Sequence, residues 1–185
     1  MDKNGLLNVL NNDGQVIGQA SRGEIHEKGL LHSEIHVWFF TPDQKIIFQH
    51  RAKDKDTFPD LLDATVGGHV EIGETFEQAA VKEIQEETGL AINPSDLITL
   101  MTTQTKSFDL ATKTTNNAWR KVFAYRFEGD KNQLKVENGK SLGFESWPID
   151  ELIDPNFLHK DRFIPRHLEP ESIEMFTKIR SFLAN

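Results

Sequence analysis

The residues best placed to do chemistry lie between Gly68 and Leu90, in the run GHVEIGETFEQAAVKEIQEETGL. Glu83, Glu86 and Glu87 sit within five positions of one another, with Glu74 ahead of them and a glycine-bearing turn before that. Residues three and four apart on a helix are neighbours, and like charges there repel by a few tenths of a kcal/mol per pair unless a cation neutralises them. The simplest cation for an all-oxygen set is Mg²⁺, with Mn²⁺ as its near substitute. Carboxylates gathered this way suit holding a divalent metal against a diphosphate. A solvated acidic helix face is the alternative reading of the same three glutamates.

The helix that must carry them is predicted over Phe76 to Thr88. Thr75 followed by Gln78 reads as a capping box at its start, and Gly89 stands in the usual position just past its end. At about 100° per residue, Ala80, Val81 and Ile84 form an apolar stripe, and the glutamates crowd beside it. The flanking sequence predicts mostly strands. Gly5–Val9 and Val16–Ala20 pair around Asn12-Asp13-Gly14, and His36–Phe40 and Lys45–His50 pair across Pro42-Asp43. Ala64–Val70 leads into the helix; Leu97–Thr105 and Trp119–Phe127 flank a polar loop over 109–117, a candidate lid or a plain surface loop. Gly143–Trp147 makes a last strand, Asp150–Ile153 a helical turn, and Glu171–Leu183 a terminal helix opened by Pro170.

Composition narrows the classes. A chain of 185 residues suits one domain, 1–185, with a sizeable core. A net charge of −8 argues against a general nucleic-acid binder, and points to a small-molecule substrate. No apolar run approaches a membrane span and the N-terminus lacks a signal pattern, so no membrane partner and a cytoplasmic location are expected. The absence of cysteine excludes a disulfide framework, a zinc-thiolate site and a thiol nucleophile. A homodimer is the default expectation for any assembly.

The segment from 68 to 90 resembles the Nudix box, Gx5Ex7REUxEExGU with U aliphatic. Gly68, Glu74, Glu83, Ile84, Glu86, Glu87, Gly89 and Leu90 fall on the pattern, and Lys82 stands where arginine is usual. Lysine keeps the charge but loses the planar fork. The resemblance implies an α/β fold, a Nudix α/β/α sandwich around a mixed β-sheet. It also implies Mg²⁺-dependent hydrolysis of a diphosphate linkage, in a nucleoside diphosphate derivative or related small diphosphate. On that reading Glu83, Glu86 and Glu87, with the Gly68 carbonyl, hold the metal. Glu83 is also a possible orienting base, and Glu74 supports the site by pairing with Lys82. A further base outside the box is common in the family, and Glu128, Glu137 and Glu145 are open candidates.

From Asn11 to about Arg166 the chain also resembles isopentenyl-diphosphate isomerase and the Nudix hydrolases related to it. Arg22, His26, His32, Arg51, Lys55, Phe58, Pro59 and His69 fall on that pattern. The resemblance implies that Arg22, Arg51 and Lys55 contact a substrate diphosphate, a task suited to charge-assisted hydrogen bonds. It further implies that His26, His32 and His69 either form a second metal site or line the pocket as polar residues. The departures favour a hydrolase over an isomerase: Gly67 replaces the catalytic cysteine, Asn116 and Ala118 replace two metal-binding glutamates, and Arg166 replaces a late tryptophan. A nucleotide-binding sensor module with weak catalysis is the alternative within the same superfamily. Trp38, Phe108 and Trp119 are candidates to stack a base, or to be packing residues.

Overall fold

The computed structural model describes residues 5–55, 57–136, 139 and 141–183. Two strands, β1 (Leu6–Leu10) and β2 (Val16–Ser21), form an antiparallel hairpin of their own. A short helix, α1 (Arg22–Lys28), follows directly, its first turn capped by the Ser21 hydroxyl and its end closed by Gly29 at φ 63°. Seven residues burying only Ile25 leave no hydrophobic period to read, so this helix is not visible in the sequence.

Among the described residues the main sheet has seven strands and mixed direction. β3 (His32–Phe40) lies at its centre, parallel to β8 (Thr114–Arg126) and antiparallel to β4 (Lys45–Arg51). β5 (Leu62–Asp63) and β9 (Ser141–Pro148) pair with β4, and β7 (Ile98–Asp109) pairs with β8. β6 (Val66–His69) occupies the other half of the β3 edge that β4 leaves open, antiparallel to residues 34–37.

Helices cover both faces. α2 (Phe76–Thr88) buries Ala79, Ala80 and Ile84 against Ile35, Val37, Phe39 and Ile47. α3 (Ile149–Leu152) and α4 (Pro170–Ser181) bring Ile149, Leu152, Met175, Phe176 and Ile179 onto Trp38, Phe40, Ile46 and Phe48. Period-2 alternation along β3 and β4 therefore feeds two cores, one per face. Each fully buried Ile, Leu or Phe contributes roughly 1.5–3 kcal/mol. The expected α/β/α layering around a mixed sheet is the observed one.

Two strand expectations need correction. β3 begins at His32 rather than His36, because its first inward-facing residues, His32 and Glu34, are polar and interrupt the apolar pattern. The span 109–117 is largely strand and not a loop. Pairing runs through Asp109↔Thr114, and the turn occupies only 110–113, held by Asp109 Oδ1 accepting from the Thr112 amide and hydroxyl. Threonines and asparagines that read as loop here continue a ladder already set by β7 and β8.

Candidate active site

α2 starts as its sequence requires. The Thr75 hydroxyl accepts from the Gln78 amide at 3.2 Å, the Gln78 side chain accepts from the Thr75 amide at 2.8 Å, and Gly89 ends the helix at φ 73°. Its last turn carries no basic side chain. With Ala79, Ala80 and Ile84 inward, Glu83 leans onto the backbone of β6, Glu87 is buried at the edge of the sheet, and Glu86 projects into solvent. Gln49 on β4 donates to Glu87 Oε2 at 3.0 Å, fixing a carboxylate that burial alone would leave mobile and costly.

The approach of Glu83 depends on Gly68. A Cβ at position 68 would overlap the Glu83 carboxyl carbon and its Oε1, so this contact exists only because the residue is glycine. Lys82 is clasped by Glu74 at 2.8 Å and Glu71 at 3.1 Å, tying the turn before the helix to the helix itself. Lysine thus performs from a compact ammonium the bracing for which the motif uses arginine. Glu128 pairs with Arg126 at 2.7 Å, at the end of β8 away from His32 and Gly68. Glu145 pairs with Arg162 at 2.6 Å, opposite Phe48 on the face away from α2. Glu137 lies outside the described residues.

β6 runs from the glutamates to a histidine cluster. His26 of α1, His32 at the start of β3 and His69 at the end of β6 bring ligand nitrogens within 4.8 Å of one another. His32 Nδ1 is 3.1 Å from the Leu30 carbonyl, which accepts its proton's hydrogen bond and leaves Nε2 facing the cluster. Nε2 of His32 and of His69 are both buried without a hydrogen-bond partner among the described residues. They face Glu34 Oε1 at 3.4 and 3.8 Å, distances set by electrostatics and not by hydrogen-bond geometry.

Glu34, invisible as a site residue in the sequence, organises this region. Its Oε1 accepts from Asn116 Nδ2 at 3.0 Å and its Oε2 from Arg120 Nη2 at 2.7 Å. Burial by itself would raise its pKa, but His32 and the Arg120 charge outweigh that and hold it ionised. Burial pushes His69 down to about 3, with Glu34 opposing and Arg22 adding to the shift. Burial and the neighbouring His32 likewise lower His26. Imidazole nitrogens gathered within 4.8 Å of one another, two of them on rings whose pKa is lowered, are what a borderline transition metal binds, so the donor set fits a second metal.

The basic residues divide. Arg22 opens α1, and its charge reaches both His26 and His69. Arg51 is engaged by the protein: it donates to the Thr57 carbonyl at 2.8 Å, to the Phe58 carbonyl at 3.2 Å and to Asp63 Oδ2 at 2.9 Å. It braces the segment 57–63 in which Phe58 and Asp60 hold positive φ. Lys55 lies in the turn leading into that segment.

Beneath this loop, Asp63 Oδ1 lies 2.7 Å from His167 Nε2. Burial would raise the Asp63 pKa, but the His167 hydrogen bond and the charges around it hold it far below the carboxylate range. Burial lowers His36 and His167 below the ordinary imidazole value. A group whose folded pKa is depressed stabilises the fold above its unfolded pKa, and that stability is lost as pH falls towards the folded value. In EDTA, the free energy of unfolding is therefore expected to decline once pH drops below about 6.5. Asp63 should extend the decline below about 3.9. Urea denaturation at pH 7.5 and 5.5 checks this, and equal stabilities would mean that these imidazoles protonate without penalty in the folded state.

The candidate base-stacking residues are packing residues or lie elsewhere. Trp38 is 2 % exposed and ringed edge-on by Phe48, Phe176 and His167. Trp119 lies over Gly14, where an added Cβ would stand 3.6 Å from the indole ring, and Phe108 is exposed near the β7–β8 turn.

The NUDIX domain model matches residues 30–167. A Nudix hydrolase of Nostoc sp. is 31% identical over 183 residues, covering 97% of this chain and 96% of its own. Another, from Clostridium acetobutylicum, is 30% identical over 150 residues, covering 80% of this chain and 71% of its own. Among solved structures, DR0079 from Deinococcus radiodurans superposes with a TM-score of 0.67 at 19% identity, over 94% of this chain and 98% of that one. The NUDIX domain of Shewanella oneidensis NrtR, complexed with ADP ribose, superposes with a TM-score of 0.56 at 18% identity, over 80% and 86%. At these identities the superpositions establish the fold alone.

Proposed function

This chain belongs to the Nudix family, as a hydrolase acting on diphosphate bonds, and we propose that it is a Mg²⁺- or Mn²⁺-dependent pyrophosphohydrolase of a nucleoside diphosphate derivative or related small diphosphate. The observation that carries the proposal is the seat of Glu83 on the bare backbone of Gly68, with Glu86 and Glu87 one turn further along α2. The donors are all oxygen, and with no side chain at position 68 the Glu83 carboxylate lies against the strand backbone, which suits a hard divalent cation. Glu83, Glu86, Glu87 and the Gly68 carbonyl would hold it. Bound there, the cation supplies positive charge against the diphosphate oxygens and makes water easier to deprotonate.

The protein's own groups do the rest. A glutamate on α2 accepts the proton of the attacking water as its oxygen bonds to phosphorus and the bridging P–O bond breaks. Glu83 suits this role because its carboxylate is fixed against β6. Lys82, held by Glu74 and Glu71, keeps the helix from rotating away from the strand. Arg22 and Lys55 would meet the diphosphate, with Arg51 shaping the loop that presents it. His26, His32 and His69 would hold a second metal or line the pocket as polar residues. The intact bracing of Lys82 favours catalysis over a silent sensor, and the lack of any cysteine leaves no thiol to protonate an alkene.

The test is phosphate release from a panel of nucleoside di- and triphosphates, nucleotide sugars, dinucleotides and isoprenoid diphosphates with Mg²⁺ or Mn²⁺. Activity on one class should vanish in EDTA and return with metal. Glu86→Gln, at an exposed position, should lose about 10²-fold or more in kcat with an unchanged melting temperature. Turnover near the wild-type rate in that variant would remove Glu86 from the metal site.

A further inference from the structure

On the α4 side of the sheet, a cavity of about 410 Å³ lies between β3, β7 and β8 and the segment 164–175. Its walls are apolar where Trp38, Met101, Val122 and Met175 face it, and cationic where Arg120 and Arg166 do. β6 connects it to the glutamates. A Cβ on Gly67 would sit 3.3 Å from His36 on the cavity side, whereas one on Gly68 would strike Glu83 on the other. Among the described residues β6 pairs with β3 alone, and its two adjacent glycines put no side chain between the cavity and Glu83.

The cavity has more cation than its own carboxylates satisfy. Arg120 gives Nε and Nη2 to Glu34, and its Nη1 donates to no group among the described residues. The half-buried Arg166 guanidinium makes no hydrogen bond or ion pair among the described residues. Asp63 is taken by Arg51 and His167, and Glu169 and Glu171 are exposed at the mouth. Burial and then the Arg120 charge depress the Arg166 pKa, against the opposing pull of Glu34, Asp63 and Glu169. Thr105 Oγ1, buried and without a partner among the described residues, lines the same space. Trp38 offers no open ring face for an uncharged base.

We propose that this cavity selects substrates bearing, besides the diphosphate that is cut, a second anionic group, a carboxylate or phosphate, which seats between Arg166 and Arg120. The inference rests on the hydrolase reading for its first measurement and on binding alone for its second.

Matched pairs test it: UDP-glucuronate against UDP-glucose, and coenzyme A against dephospho-coenzyme A. In at least one pair kcat/KM should favour the anionic member by about 10- to 100-fold, as a charge-assisted hydrogen bond does. Arg166→Gln should bring that ratio close to one, and Arg166→Lys should retain part of it. The same pairs are then compared by thermal melting in EDTA, where no hydrolysis occurs. The anionic member should raise the melting temperature more, and Arg166→Gln should remove the difference. Hydrolysis without preference in either assay, or a preference surviving in Arg166→Gln, overturns the inference and leaves the hydrolase standing. A melting preference without hydrolysis keeps the anion site and overturns the proposed hydrolysis of these compounds. The absence of both hydrolysis and a melting difference overturns the anion site, and the broader substrate panel then decides the hydrolase reading by itself.

Discussion

Gly68→Ala is expected to fold normally and to lose about 10²-fold of its turnover. The added methyl would occupy the space of the Glu83 carboxyl group. That group is the far end of a flexible side chain, so it can swing aside at little cost to stability. Displacing it by an ångström or so is another matter for catalysis, where a misplacement of about 1 Å costs on the order of 10²-fold. Steady-state kinetics beside a thermal melt separates the two effects. Unaltered kcat would show that Glu83 reaches its working position without this contact.

Arg120→Met should have the largest effect on stability, a loss of about 3–5 kcal/mol. Arg120 is 4 % exposed and Glu34 8 % exposed, and the pair is joined at 2.7 Å in the sheet between β3 and β8. Removing the guanidinium leaves a buried carboxylate whose remaining neighbours include Asn116, His32 and His69. The double variant Glu34→Gln with Arg120→Met should regain part of the loss, because no charge is then stranded. Denaturant melts of the four proteins in EDTA measure the coupling. Additive losses would mean that the pair does not act as a unit.

The sequence discloses what is local. Thr75, Gln78 and Gly89 mark both ends of α2 because capping involves residues three or four apart, and the Glu74–Lys82 pair spans just under two helical turns and a short approach. The spacing of Glu83, Glu86 and Glu87 exposes their common face for the same reason. What depends on strand register is hidden. Glu34 meets Arg120 across 86 positions and Gln49 meets Glu87 across 38. Nothing near any of these four residues announces its partner. Arg51 illustrates the converse: a residue that matches a ligand-binding pattern has its donors turned onto its own loop. The only clue to Glu34 was its charge at an inward position of an otherwise apolar strand.

The acidic end of α2 carries a further consequence. Backbone dipoles summed along a helix leave the equivalent of about half a negative charge at the C-terminus, which disfavours anions in the last turn. Glu86 and Glu87 are placed there, and no basic side chain answers them in that turn. The helix is thus held at its final turn against its own macrodipole, by Gln49, by the cap at Gly89 and by the apolar stripe beneath. Binding of a divalent cation reverses the sign of that local field. Amide protons of the last turn should then exchange more slowly with solvent than in the apo protein, making ligand occupancy and backbone order one linked property of this helix.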